Sequence, residues 1–499
     1  MRRVLVANRG EIALRVIRGC AAAGLETVAV YSDADADAPH VYAATAAARI
    51  GPPPAAESYL NVAALLEAAR RTRADAVHPG YGFLSERAHF ARAVEQAGLI
   101  FIGPPAEAIE RLGSKTGARR LMEAAGVPVV PGLTLDDQSD AALLAAGATL
   151  GAPLLVKPAA GGGGIGMKTV HHLEELTEAL AQARREALAA FGNSTLYLER
   201  LIDRPRHIEV QIFGDRHGHI VHLFERECSA QRRHQKVVEE TPSPAVTPSL
   251  RARLGAAAVA AARTVGYQNA GTVEFLLEGE GDDARFYFLE INARLQVEHP
   301  ITECVAGVDL VRAQLAVAAG EPLPWRQEDL SQRGHALECR IYAEDPARGF
   351  LPQAGALLRY REPSGPGLRV DAGVVEGGTV SVYYDPMLAK LVAHGETRAH
   401  CLARAREALT RFEIHGVHTN LAFLQALLAH PDFVAGRIDT GFLDRHLAEL
   451  STTPQVPADV VAAVAWHASL GPTPSATTPG GTGRSDGGDP FATIRGWRG

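Results

Sequence analysis

The chain has 499 residues, 46% of them hydrophobic, and a formal net charge of −7 at pH 7. That length holds roughly two to four domains, each able to bury its own core. The negative balance disfavours a general nucleic-acid-binding role, and no apolar run approaches the ~18 residues a membrane span needs.

"RVLVA" at 3–7 reads as a first strand rather than the apolar core of a secretory leader. "NRGEIALRVIRGCAAAG" follows as a helix stopped by Gly24, and "TVAVYS" as a second strand. A further cycle runs through helical "LNVAALLEAARRTRA", strand-ending "DAVHPG", helical "ERAHFARAVEQAG" and strand "LIFIG". Such alternation predicts a parallel α/β domain over 1–112. Loops at the carboxyl ends of its strands are where function is expected, which singles out "HPGYGFLSE" at 78–86.

From 113 the pattern becomes α+β with antiparallel pairing. "LLVKPAAGGGGIGMKTV" predicts a strand, a glycine loop and a return strand; "STLYLERLI", "RHIEVQIFGD", "HIVHLFEREC", "TVEFLLE" and "RFYFLEIN" predict more strands, up to about 332. Residues 333–448 read as a smaller mixed domain with strands in "GHALECRIYAED", "ALLRYREP", "LRVDAGV" and "SVYYDPMLAKLVAHGE", closed by helices. Residues 449–499 read as a flexible tail, glycine- and proline-rich over 470–489. Cys20, Cys228, Cys304, Cys339 and Cys401 are scattered without a CxxC, as expected of reduced thiols in a cytoplasmic protein.

"AGGGGIGMK" leaves backbone amides open to an anion. Met167 after Gly166 rules out a P-loop, and a loop between two strands rules out a dinucleotide fingerprint. Lys157 on the preceding strand and Lys115 in "GSKTGAR" favour a triphosphate site over a plain hairpin. "TVEFLLEGEGDDARFYFLEIN" predicts a hairpin; a register symmetric about Asp282 sets Glu274 against Glu290. Opposed carboxylates destabilise a sheet unless a divalent cation lies between them, and Asn292 on the same face supplies a third oxygen.

"EINARLQVEH" at 290–299 alternates, so one extended strand would line a face with Glu290, Asn292, Arg294, Gln296 and Glu298. Arg294, Gln296 and the backbone at Val297 suit a small planar anion such as bicarbonate, and Glu298 stands where a base would act on it. In "QRRHQK", Gln231, His234 and Lys236 suit a phosphate-facing loop. His217, His219 and His222 do not make a zinc site, because His222 points away from the other two on a strand. "DADAD" at 33–37 is no calcium loop, since alanines hold its glycine and glutamate positions.

"ANRGEIALR", "HPGYGFLSE", "GGGGIGM", "RHIEVQ", "ERECSAQRRHQKVVEE", "GTVEF", "EINARLQVEHPITE" and "ECRIYAEDP" together resemble the biotin carboxylase component of biotin-dependent carboxylases, nearest to acyl-CoA carboxylase α chains. The resemblance spans residues 2 to about 448. It implies a Rossmann-like N-terminal domain, a central ATP-grasp domain and a C-terminal biotin-carboxylase domain. It also implies ATP contacts at Lys115, Lys157, Gly163, Gly164, Met167, His207, Gln231, His234 and Leu276, with Glu199, Arg200, Leu201 and Ile202 as a hinge against the adenine. Glu274, Glu290 and Asn292 would bind Mg²⁺ or Mn²⁺, and Lys236, Arg294, Gln296 and Val297 would hold bicarbonate. Glu298 would be the base, and Arg340 would steady biotin's enolate-like oxygen.

The implied reaction is carboxylation of biotin N1′ by ATP and bicarbonate through carboxyphosphate. The implied partners are a biotin carboxyl carrier protein and a carboxyltransferase subunit, with a homodimer as the usual assembly and neither nucleic acid nor membrane involved. No "EAMKM"-like biotinylation motif occurs, so biotin is expected on another chain. Ile165, where many members carry Arg or Lys, resembles urea-carboxylase-like members. A scaffold without catalysis would predict damage among the metal ligands or at Glu298, and none is seen.

Overall fold

The computed structural model describes residues 1–159, 166–452 and 458–469. The expectations for Gly163, Gly164 and Ile165 and for the glycine- and proline-rich stretch at 470–489 lie outside them. All five cysteines are free thiols, and no described helix is long and apolar enough to cross a membrane.

Strands β1 (Arg3–Val6), β2 (Glu26–Ser32), β3 (Ala46–Gly51), β4 (Ala76–His78) and β5 (Ile100–Phe101) form a parallel sheet in the order β3-β2-β1-β4-β5. β3 is absent from the sequence reading: "AAARIG" has little intrinsic strand preference and takes its form by pairing with β2 from Val28↔Ala46 onward. Strand order reverses between β1 and β4, so Asn8–Glu11 and the "HPGYGFLSE" loop share one switch point. Asn8 Nδ2 ties them, donating to Pro79 O at 2.8 Å and Tyr81 O at 2.7 Å. Gly80 sits at φ +64° above that amide, where a Cβ would come within 2.8 Å of it; glycine is required.

A four-stranded sheet follows, built from β6 (Gly132–Leu133), β7 (Leu154–Pro158), β8 (Lys168–Val170) and β9 (Leu196–Arg200) in the order β6-β9-β7-β8. β7 and β8 pair antiparallel from Leu154↔Val170 to Val156↔Lys168, as expected of the strands flanking the glycine loop.

The largest sheet has eight strands. It runs β14 (Arg285–Asn292), β13 (Asn269–Glu278), β10 (Arg206–Gly214), β11 (Ile220–Arg232), β12 (Gln235–Thr241) and β15 (His335–Tyr342), then Met387–Gly395 and Leu368–Ala372. Its antiparallel β12–β15 pairing joins the segment before residue 242 to the one after 334, and the site lies along that seam. "RRHQ" closes β11 and β12 as a tight hairpin with Arg233 and His234 both at positive φ.

The β13–β14 hairpin pairs Glu278↔Arg285 through Phe275↔Phe288. A one-residue bulge at Leu289 then sets Glu274 opposite Glu290. The expected carboxylate pair is present, but the bulge produces it rather than symmetry about Asp282.

The expected single strand over 290–299 is corrected. β14 stops at Asn292, and Glu298 is the N-cap of the helix His299–Ala306. The Ala293 N–H donates to Glu86 Oε1 at 2.9 Å instead of continuing a ladder, and Pro300 favours a helix start. The expectation for 449–499 is corrected too. The helix Phe442–Leu450 runs past 448, and Ala458–Ser469 is helical, being rich in alanine and free of glycine and proline.

Candidate active site

Glu298 is the hub of a buried charge cluster. Its Oε1 accepts from Lys236 Nζ at 2.6 Å and its Oε2 from Arg340 Nη2 at 3.0 Å, and the carboxylate has no solvent exposure. Burial alone raises a carboxyl pKa; here Lys236 and Arg340 outweigh it and hold Glu298 well below the usual range. Lys236 spends its other two N–H groups on Glu209 Oε2 at 2.5 Å and Glu274 Oε1 at 2.9 Å. Arg340 also donates from Nε to Glu239 Oε1 at 2.6 Å.

Arg294 bridges the rest of the expected row. Its Nη2 donates to Asn292 Oδ1 at 3.1 Å, Nη1 to Gln296 Oε1 at 2.6 Å, and Nε to Glu86 Oε2 at 3.1 Å. Although the strand has ended, Asn292, Arg294 and Gln296 remain mutual neighbours, and Gln296 Nε2 reaches Glu274 Oε1 at 3.4 Å. The carbonyl of Val297 accepts from the fully buried Lys390 Nζ at 2.7 Å. Lys390 also pairs with Glu11 at 3.1 Å, and Glu11 takes the hydroxyl of Tyr81.

Glu274 and Glu290 form an oxygen-rich pole beside this cluster. His207 Nε2 bonds Glu274 Oε2 at 2.9 Å, which joins the histidine expected against ATP to an expected metal ligand. Burial and then the Glu274 charge push the Glu290 carboxyl up. Among the described residues, the buried Nδ2 of Asn292 has no partner, while its oxygen is shared with Arg294. Opposed hard-oxygen donors with an electrostatic penalty between them fit Mg²⁺ or Mn²⁺.

Residues expected along the nucleotide spread outward from that pole. Lys115 opens the helix Lys115–Ala124; burial lowers its pKa and the Glu290 charge opposes the shift. Lys157 Nζ and Arg119 Nη1 each donate at 2.9 Å to Glu199, one to each oxygen. Arg200 turns its guanidinium to Glu278 Oε2 and Tyr287 Oη, and the Leu201 N–H donates to Pro153 O at 3.0 Å. The Arg200 side chain and the Leu201 amide are therefore already engaged within the fold. Ile202 and Leu276 join Val130 and Tyr287 in a small apolar cluster, suited to one face of a purine ring. Gln231 is buried opposite Lys236, His234 is exposed at the hairpin tip, and Met167 is half-buried before β8.

Beside Arg294, Val297 and Arg340 opens a cavity of about 460 Å³, bounded also by Glu11, Tyr81 and Tyr384. It brings the switch-point loops of the first sheet against the seam of the third. Glu209, Glu86, Glu239, Arg226, Glu11 and Lys390 belong to the site and were not singled out from the sequence. Arg226, fully buried, donates to Glu209 at 2.5 Å, Gln211 at 2.8 Å, Thr302 at 2.9 Å and Thr272 at 3.1 Å. Charged residues inside otherwise apolar strands, as in "RHIEVQ" and "LFEREC", were the available signal: such groups are buried only when paired.

Three family models match the chain: biotin carboxylase N-terminal domain over residues 1–109, carbamoyl-phosphate synthase L chain ATP-binding domain over 114–326, and biotin carboxylase C-terminal domain over 338–445. The chain is 51% identical over 448 residues to a biotin carboxylase of Halalkalibacterium halodurans, covering 89% of this chain and 98% of that one. It is also 51% identical over 457 residues to the mitochondrial methylcrotonoyl-CoA carboxylase subunit alpha of Arabidopsis thaliana, covering 91% of this chain but only 62% of that subunit. Among solved structures, the biotin carboxylase domain dimer of Hydrogenobacter thermophilus 2-oxoglutarate carboxylase, with MgADP, ADP and bicarbonate, superposes with a TM-score of 0.86 at 42% identity, covering 91% of this chain and 99% of that one. Campylobacter jejuni biotin carboxylase in a β,γ-ATP complex gives 0.85 at 42% identity, covering 89% and 99%.

Proposed function

The chain belongs to the biotin carboxylase family of ATP-dependent ligases, and we propose that the residues around Glu298 carry its half-reaction, the carboxylation of carrier-bound biotin at N1′. The observation behind these assignments is that one buried carboxylate is held by both Lys236 and Arg340 beside the Arg294–Gln296 pair, at the edge of a cavity.

Bicarbonate entering beside Arg294, Gln296 and the Val297 backbone competes with Glu298 for Lys236 and Arg340. As those cations turn toward the incoming anion, Glu298 loses the charges that suppress its basicity and becomes able to take the bicarbonate proton. The basicity rises only once substrate is present. The resulting dianion attacks the γ-phosphate held by Lys115, Lys157 and the glycine loop, giving carboxyphosphate and ADP. A divalent cation on Glu274, Glu290 and Asn292 would supply neutralisation of phosphate charge. Carboxyphosphate breaks down to CO₂ and phosphate. Phosphate takes the N1′ proton, Arg340 balances charge on the ureido oxygen, and N1′ attacks CO₂. The reactive intermediate requires that water be kept from the site while it forms.

The relatives and the sequence together support the finer assignments. We place the chain as the biotin carboxylase part of an acyl-CoA carboxylase, working as a homodimer with a carboxyl carrier and a carboxyltransferase. A cytoplasmic location fits five free cysteines, although several relatives are mitochondrial. The urea-directed reading leaned on Ile165 alone, whereas the relatives at about half identity include methylcrotonoyl-CoA carboxylase α subunits. ADP release from Mg-ATP and bicarbonate, with and without free biotin, tests the reading. Turnover that needs bicarbonate and rises with biotin is expected; nucleotide binding without biotin-dependent turnover, even with a biotinylated carrier, overturns it.

A further inference from the structure

We propose that Glu338 and Glu239 form a proton-sharing carboxyl pair that lets Arg340 leave Glu239 for the substrate oxygen. This rests on the role given to Arg340 above.

Glu338 on β15 lies directly opposite Glu239 on β12, and neither has any solvent exposure. Among the described residues, both oxygens of Glu338 and Oε2 of Glu239 are buried without a hydrogen-bond partner. Opposed residues of an antiparallel pair bring their Cβ atoms to about 5 Å, so two ionised carboxylates there would repel across a dry gap.

The surrounding cations, Lys390 and Arg340, offset the burial of Glu338 only in part, and both are bonded elsewhere. Arg340, two residues along the same strand, is bonded to Glu239 and Glu298. Lys390, on the neighbouring strand Met387–Gly395, is bonded to the Val297 carbonyl and paired with Glu11. From the helix His299–Ala306 come Glu298 at its cap, Cys304, and His299, whose Nδ1 bonds Gln296 O at 2.7 Å. None of these is a free cation. Burial pushes the Glu338 carboxyl well up and that of Glu239 up to about 7.

One proton satisfies this geometry. Carried on one oxygen of Glu338, it is donated as an O–H to Glu239 Oε2 and so pairs two of the three orphaned oxygens, leaving the third as the uncharged carbonyl oxygen of Glu338. When Arg340 turns to the substrate, Glu239 keeps that donor, and the proton can move within the pair as the charge of Arg340 departs. No proton is gained from or lost to solvent. Without the shared proton, the departure of Arg340 would strand two facing buried anions. Glu338 is thus a positioning residue: it touches no substrate and sets how freely Arg340 moves.

The test is infrared spectroscopy and kinetics on the full chain. The wild type should show a protonated-carboxyl C=O band at pH 7.5 that Glu338→Gln removes. Because the glutamine amide can donate in place of the O–H, that variant should keep biotin-dependent turnover within about 2-fold, whereas Glu338→Leu should lose about 10-fold or more with its KM for ATP unchanged. No band lost in Glu338→Gln, or full turnover by Glu338→Leu, overturns the proposal. Absence of biotin-dependent turnover in the wild type would instead strike the Arg340 reading, and the band would still judge the carboxyl pair.

Discussion

Arg340 and Glu298 meet at 3.0 Å, Nη2 to Oε2, across the seam between β15 and the loop that follows β14. Lys236 closes on the other oxygen of the same carboxylate. The group assigned as base and the group assigned to the substrate oxyanion therefore hold each other while the site waits, and occupancy separates them. Such mutual restraint keeps a strong base from standing idle in a site that must exclude water.

Arg340→Ala should leave Mg-ATP binding within about 2-fold, because the Arg340 side chain bonds to Glu239 and Glu298, and lower biotin-dependent ADP release by about 100-fold or more. Nucleotide affinity by calorimetry and steady-state turnover report the two quantities separately. Equal loss of both would count against the assignment.

Glu298→Gln keeps the shape of the hub but cannot accept a proton. Turnover with bicarbonate should fall by roughly 100- to 10,000-fold, the range for removing a positioned base, while the fold persists. Near-wild-type turnover in this variant would move the base elsewhere.

Glu290→Gln removes one of two facing carboxylates. Without metal, this variant should be more stable than the wild type by roughly 1 kcal/mol, because like charges opposite each other weaken a sheet. It should also lose most of the thermal stabilisation that Mg-ATP gives the wild type. Thermal melts with and without Mg-ATP check both; a less stable metal-free variant would argue that Glu290 is simply a structural anion.

Stability should fall as pH drops below 6.5. Burial holds His40 and His78 at about 4 against an ordinary 6.5. His78 must stay neutral to serve its contacts, with Nδ1 accepting from the Gly80 N–H at 3.0 Å and Nε2 facing Gln314 Oε1 at 3.2 Å. A folded-state pKa below the unfolded one means the unfolded chain binds the proton first. Stability is therefore full above 6.5 and is lost between 6.5 and 4, by about 3 kcal/mol for each histidine. Denaturation midpoints from pH 8 to 5 should begin to fall near 6.5, less steeply in His78→Gln; a flat profile would count against neutral, buried histidines.

Local pattern made much of this molecule readable in advance. Alternating strands and helices gave the parallel first sheet, since each element announces itself within a dozen residues. Period-two alternation flagged Glu290, Asn292, Arg294, Gln296 and Glu298, and a symmetric hairpin register predicted Glu274 against Glu290, a pair that the bulge at Leu289 in fact creates. Runs such as "RLQVEH" and "ECRIY" then supported the family. What the pattern could not supply was register and neighbourhood. β14 ends at Asn292, where the Ala293 N–H turns to Glu86 more than 200 residues away in sequence, and neither the Leu289 bulge nor the capping position of Glu298 is visible in the alternation. Glu239, Glu338 and Lys390 share one site only because β12, β15 and Met387–Gly395 are neighbours in a sheet built from distant segments. Sequence determines which faces are charged. The order of strands decides which charges meet, because pairing energy between buried groups exists only at contact distance.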